Sequence, residues 1–167
     1  TAAIFGFVFS GEWDRFLRLV WAQDFGTSDP IYSRDIGFYL FVLPFLNLVQ
    51  ISLVLLTLSG TLILGLAYYW AGGLRLGAKT YVAADPKVLS HLIANAVLLL
   101  TAWAWGYYLD RFGLLTRSAG AVFGAGYTDV HVILVGLWVA LGATLALICL
   151  LVWVAATNAP RFQPKSG

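Results

Sequence analysis

Of the 167 residues, 60% are hydrophobic and 11% charged, with a mean hydropathy of +0.84, whereas roughly a quarter of residues are charged in soluble domains; this excludes an ordinary soluble domain and makes lipid the solvent for most of the chain. A net charge of +2, with the basic residues dispersed, excludes the clustered Lys and Arg of a nucleic-acid footprint. The single cysteine, Cys149, excludes an internal disulfide or thiolate cluster, and its apolar setting predicts a small buried side chain.

Residues 1–9 are apolar, with no basic n-region and no small-residue cleavage site, and read as the tail of a span whose beginning is missing rather than as a signal peptide. Over residues 12–25, Trp13, Phe16, Leu17, Val20 and Trp21 recur at helical spacing, while Glu12, Asp14, Arg15 and Arg18 fall on the other face. This pattern predicts a short helix, either lying in the membrane interface or packed on neighbouring spans. Gly26-Thr27-Ser28-Asp29-Pro30 ends it, and Asp29 before Pro30 offers a cap for a further turn.

No charge occurs from Ile36 to Trp70. As one helix that stretch would run about 52 Å, against a hydrocarbon core of about 30 Å. Pro44 therefore predicts a break between a short element at 35–43 and a span at about 44–70, with Tyr68, Tyr69 and Trp70 at its far interface. Beyond a basic loop at 71–87, Asp85-Pro86 reads as N-cap and first helical residue of a span at about 88–109, whose end is crowded with Trp103, Trp105, Tyr107 and Tyr108 and closed by Asp110-Arg111. A small-residue loop leads to Gly124-Ala125-Gly126-Tyr127-Thr128-Asp129-Val130-His131, a polar signature at the mouth of a third span at about 130–156. There Gly124 and Gly126 permit a tight turn with positive φ, and Asp129 can cap the following helix. The expected fold class is therefore all-α, a polytopic helical membrane protein of one domain with three complete spans, a partial N-terminal span and short interfacial helices.

Basic residues do not decide the orientation. Arg75, Lys79, Lys87, Arg161 and Lys165 fall on one face, and Arg15, Arg18, Arg34, Arg111 and Arg117 on the other. All the acidic residues but Asp85 join the second face. The charge balance favours a cytoplasmic loop at 71–87 and C-terminal tail, with loops 10–43 and 110–129 extracytoplasmic, although the positive-inside rule counts only Lys and Arg.

Three stretches, Asp29 to Tyr39 continuing through Leu43-Pro44-Phe45, Trp105 to Arg111, and Phe123 to His131, resemble in order and spacing the bacterial integral membrane proteins of uncharacterised protein family 0182. The resemblance implies a seven-span architecture with its N-terminus inside and a large soluble C-terminal domain, this chain corresponding to the end of span three through span six. It therefore reads as a fragment, a truncated relative or a split gene product. The chain departs from the family pattern at Val132-Ile133-Leu134-Val135, where a proline is expected after His131. No function travels with the resemblance.

Two kinds of candidate chemistry follow from the residues. His91 and His131 open successive spans from opposite faces, so they cannot share a metal. Each alone is either an interfacial histidine or an axial ligand to a chlorin or haem, which needs a neutral imidazole with its other nitrogen held. Asp29, Arg34, Asp35, Asp110, Arg111, Arg117, Asp129 and His131 gather on one face, without an obvious nucleophile. They are expected to tie loops together by Arg-to-Asp ion pairs, and as a binding site would act through Asp35, Asp110 and Asp129. No ionisable residue falls at mid-membrane, where transport coupling would place one. Asn47, Gln50 and Asn95 read as interhelical hydrogen-bonding groups. Thr57, Thr61 and Gly65, and again Gly136, Ala140 and Thr144, offer small-residue faces for close helix approach.

These features predict a non-enzymatic subunit in contact with membrane lipid and other integral membrane subunits. A transporter or channel fragment with Asn47 or Asn95 in a wet cavity, and a pigment-binding accessory subunit of an energy-converting complex, are the alternatives.

Overall fold

The structure is a computed structural model that describes residues 6, 10–72, 74–76, 82–84, 86–116, 118–119, 122–123 and 129–158. Of the partial span expected at 1–9, only Gly6 is among them. The first helix, α1, covers Trp13–Val20, a shorter element than the expected 12–25 because the apolar stripe runs out at Trp21. Its polar face is laced by ion pairs Arg15–Glu12 at 2.8 Å and Arg18–Asp14 at 2.7 Å. Its apolar face touches the next helix through Phe16 and Phe45, ring centroids 6.2 Å apart. The rest of that face is open, with Trp13 63% and Trp21 74% exposed.

The break expected at Pro44 does not occur. A π-helical turn, Phe38–Val42, runs directly into α2, Leu43–Trp70. Val42 and Leu43 keep right-handed helical dihedrals, and the Leu43 N–H reaches back to the Phe38 carbonyl. The physical reason is local. Proline lacks a donor and presses its ring on the preceding turn, and widening that turn to π geometry relieves both without leaving the helix. The continuous segment Phe38–Trp70 has 33 residues, about 50 Å at helical rise, so it projects beyond a hydrocarbon core of about 30 Å or tilts within it.

The loop after α2 holds a short antiparallel ladder, β1 Leu74–Leu76 with β2 Val82–Ala84. Pro86 then opens α3, Pro86–Gly113, followed by a 3-10 turn at Leu114–Thr116. A second ladder pairs β3 Ser118–Ala119 with β4 Val122–Phe123, and a π-helical turn, Asp129–Ile133, leads into α4, Leu134–Asn158. The ladders are confined to connections, and the fold class is all-α. Among the described residues, three helical segments, Phe38–Trp70, Lys87–Gly113 and His131–Thr157, are long and apolar enough to cross a membrane.

Helix α3 packs against both α2 and α4. Two amides bridge α2 and α3. Gln50 Nε2 donates to the Ala102 carbonyl at 3.1 Å, and Asn95 Nδ2 donates to the Thr57 carbonyl at 3.2 Å and to Thr61 Oγ1. Gly106 makes room for the first of these, since a Cβ there would lie 2.7 Å from Gln50 Nε2. Asn47, by contrast, is exposed. So is Cys149, on the outward surface of α4 instead of in the interior where it was expected. Buried apolar packing concentrates at one end of the bundle, where Tyr39, Leu43, Leu109 and Phe112 form a cluster flanked by Tyr32, Phe38, Leu46, Trp105 and Leu115.

Candidate functional site

That cluster supports a loop, residues 21–37, folded over the end of the bundle. Backbone bonds close it from both sides. Asp29 N–H donates to the Arg34 carbonyl at 2.8 Å, Ile36 N–H to the Thr27 carbonyl at 3.0 Å, and Ser33, in the left-handed region at φ 55°, donates its N–H to the Asp29 carbonyl at 2.9 Å. Asp29 works as its place before Pro30 predicts. Its carboxylate accepts from the N–H groups of Ile31 at 2.9 Å and Tyr32 at 2.7 Å, and the Tyr39 hydroxyl donates to it at 3.0 Å. Asp35 does the same one turn later, accepting from Phe25 N–H at 3.0 Å and Gly37 N–H at 2.7 Å.

Electrostatics follow the same geometry. Burial alone raises the Asp29 carboxyl, but the Ile31 and Tyr32 N–H groups and the Tyr39 hydroxyl outweigh it and hold it below its ordinary value. The N–H groups of Phe25 and Gly37 hold Asp35 low against a smaller effect of burial. Burial pushes the Tyr32 hydroxyl up, with Arg111 acting against the rise and Asp29 adding to it. Both carboxylates are therefore committed acceptors of local donors.

The arginines take a different set of partners. The Arg111 guanidinium lies 3.8 Å from the ring centroid of Tyr108, 4.4 Å from Phe112, 5.4 Å from Tyr32 and 5.6 Å from Trp138. Among the described residues its buried Nε has no hydrogen-bond acceptor. Arg34 lies 5.5 Å over Phe38, which meets Phe112 edge-on at 5.2 Å. Both guanidinium groups thus sit on one aromatic patch, built from the 29–39 loop, the end of α3 and, through Trp138, the second turn of α4.

Of the expected pairings of Arg34 and Arg111 with Asp35, Asp110 or Asp129, the one with Asp35 is corrected. Among the described residues, the Asp29 and Asp35 carboxylates accept from N–H and hydroxyl donors, and the two arginines lie over rings. An exposed ion pair gains only about 0–1 kcal/mol and must order two long side chains. Donors two and three residues away in the loop need no such ordering. The structure does bring Asp29, Arg34 and Asp35 to the same end as Arg111. Asp110 and His131 are both exposed, and each has an interaction of its own. Arg117, Gly124, Gly126 and the Asp129 side chain lie outside the described residues, although Asp129 is the first residue of the turn before α4.

His91 is at the other end of α3, about 30 Å away at helical rise. It is exposed, and its Nδ1 shares a hydrogen bond of 2.5 Å with the Tyr68 hydroxyl. His91 and His131 do not converge. The residues missed in the sequence were Tyr32, Tyr39, Tyr108, Phe112 and Trp138. For Tyr108 a signal existed, since it stands three residues before Arg111 on the same helical face.

Comparison with known proteins places this geometry in context. Residues 1–164 match the family model described as Uncharacterised protein family (UPF0182). A UPF0182 protein of Salinibacter ruber is 44% identical over 144 residues, 86% of this chain and 15% of its own length. One from Frankia alni is 38% identical over 80% of this chain and 13% of its own length, and one from Trichodesmium erythraeum 37% identical over 86% and 16%. The chain thus spans about a seventh of the length of these relatives. No solved structure matches it.

Proposed function

The chain belongs to the Uncharacterised protein family (UPF0182), and from that premise we propose that it is a non-enzymatic, membrane-embedded packing unit, three spans that dock against further integral membrane partners. The observation that carries this reading is Asn47. It lies in the first turns of α2 and is exposed, whereas the Gln, Ser and Thr side chains of that helix are engaged. Gln50 reaches Ala102, and Ser52, Thr57, Ser59 and Thr61 donate to carbonyls three or four residues back. An outward amide in an apolar span has no acceptor or donor in lipid tails, and a neighbouring helix supplies one. The open surfaces at Gly65, Gly136 and Gly142, where a Cβ would meet nothing within 4 Å, support close approach by such a helix. The orientation that goes with this reading puts loop 71–87 and the C-terminal tail in the cytoplasm and the aromatic end outside, following the charge balance.

A photocrosslinking residue in place of Asn47, activated in native membranes, tests the reading. A protein adduct is expected. Adducts with lipid alone, together with a chain that purifies as a lone monomer in mild detergent, would overturn it. The transporter and pigment-binding alternatives start from Asn95 and His91. Asn95 is turned into Thr57 and Thr61, which supports packing over a wet cavity. The Tyr68 contact holds one His91 nitrogen, as an axial ligand would require, so chlorin or haem absorbance of the purified protein, lost in His91→Ala, is the result that would favour the pigment reading.

A further inference from the structure

The Arg111 guanidinium is surrounded by aromatic rings. Its Nε is buried and, among the described residues, has no acceptor, while the guanidinium meets four rings. Rings offer a guanidinium their faces, but they leave the in-plane N–H donors of its terminal amines unused. Asp29 and Asp35 do not fill that role, because they accept from backbone N–H groups and, at Asp29, from the Tyr39 hydroxyl. Arg34 adds a second positive charge on the same patch, across the Phe38 and Phe112 rings.

The position of Arg111 indicates what would use those donors. It lies two residues from the end of the apolar segment Lys87–Gly113, among Trp105, Tyr107, Tyr108 and Trp138, the ring types that collect at headgroup depth. Helix α1, with Trp13 and Trp21 largely exposed, joins the same end through Phe16 and Phe45. A planar, permanently charged fork at that depth matches the paired oxygens of a phosphoryl group.

We propose that Arg111, assisted by Arg34, binds a phosphoryl group at the aromatic end of the bundle, with the ring cage fixing the guanidinium so that its terminal amines face outward. The ligand is either a lipid headgroup phosphodiester or free phosphate, which share this chemistry.

The test titrates delipidated protein in a non-ionic detergent with a short-chain phosphatidylglycerol in one arm and inorganic phosphate in the other. Binding is read by phosphorus NMR. Saturable binding, weakened at least tenfold by Arg111→Gln and less by Arg34→Gln, is the expected result. Binding in the lipid arm alone identifies a headgroup site, and binding in both identifies a site for phosphate as such. An absence of saturable binding in both arms, or equal affinity in Arg111→Gln, would overturn the proposal. Should the variant fail to fold, the Arg111 Nε–H resonance of the unaltered protein gives the same answer, shifting with ligand if the proposal is right and staying fixed if it is wrong.

Discussion

Arg111 and Tyr108 face each other across one helical turn of α3, the guanidinium 3.8 Å from the ring centroid. Phe112 lies 4.4 Å from the same cation and is itself buried in the cluster with Tyr39, Leu43 and Leu109. The charge therefore acts as part of the packing, joining the end of α3 to the 29–39 loop through Tyr32 and to α4 through Trp138.

A cation held by rings should couple energetically to them. We expect a double-mutant cycle on Arg111→Gln and Tyr108→Leu, read by thermal unfolding in detergent, to give a coupling of about 0.5–2 kcal/mol. Zero coupling would mean that the ring contact is geometric only.

Asp29 holds two loop N–H groups and the Tyr39 hydroxyl at once. Asp29→Ala strands these donors and is expected to destabilise the 21–37 loop by about 1–3 kcal/mol, whereas Tyr39→Phe, which removes one donor, should cost about 1 kcal/mol. Hydrogen exchange at Ile31 and Tyr32 is the direct measurement. Unchanged protection in Asp29→Ala would refute the assignment.

The three spans were legible because charge-free runs of span length leave little else to choose, and Asp29-Pro30 was legible because an Asx turn is encoded within four residues. The break at Pro44 was misjudged. A proline rule applied residue by residue does not contain the option of widening the previous turn to π geometry, which the structure uses at Phe38–Val42. The pairing of Arg34 or Arg111 with Asp35 was misjudged for a related reason. Opposite signs on one face look like pairs, but the sequence does not show that Asp29 and Asp35 are each within reach of several unpaired N–H groups. Nor does it show that Trp138 and Tyr32 come together from α4 and the loop to surround Arg111.

Asp29 and Asp35 both have carboxyl groups held below the ordinary value of 3.8. A depressed folded-state pKa means that the unfolded loop binds protons first as pH falls, so the contribution of these groups is present above 3.8 and is lost as pH drops through their folded values. Loop opening, followed by hydrogen exchange or by fluorescence of Trp21, is expected only below pH 3.8 and should shift toward neutral pH in Tyr39→Phe, which removes one donor from Asp29. Opening centred near neutral pH in the unaltered protein would show that other groups control the loop.

Gly37 gives the sharpest test of the loop seat. Its backbone is ordinary, with φ −57° and ψ −33°, so glycine is required there by space and not by conformation. A Cβ at this position would overlap the Gln23 carbonyl oxygen and come within 3.0 Å of Asp35 Oδ1. The first obstacle is backbone and cannot swing aside. Gly37→Ala must therefore lift residues 23–26 away from the helix start and weaken both Asp35 bonds, to Phe25 and to Gly37 itself. Gly106→Ala meets only the end of the Gln50 side chain, at 2.7 Å, which can rotate at the cost of its bond to Ala102. We expect about 1–3 kcal/mol for Gly37→Ala, as for overpacking generally, and about 0.6 kcal/mol for Gly106→Ala, the average value of a hydrogen bond between membrane helices. Thermal unfolding of the two variants in the same detergent measures the difference. Equal losses, or a larger one at Gly106, would mean that the 21–37 loop is not seated on the Gly37 turn.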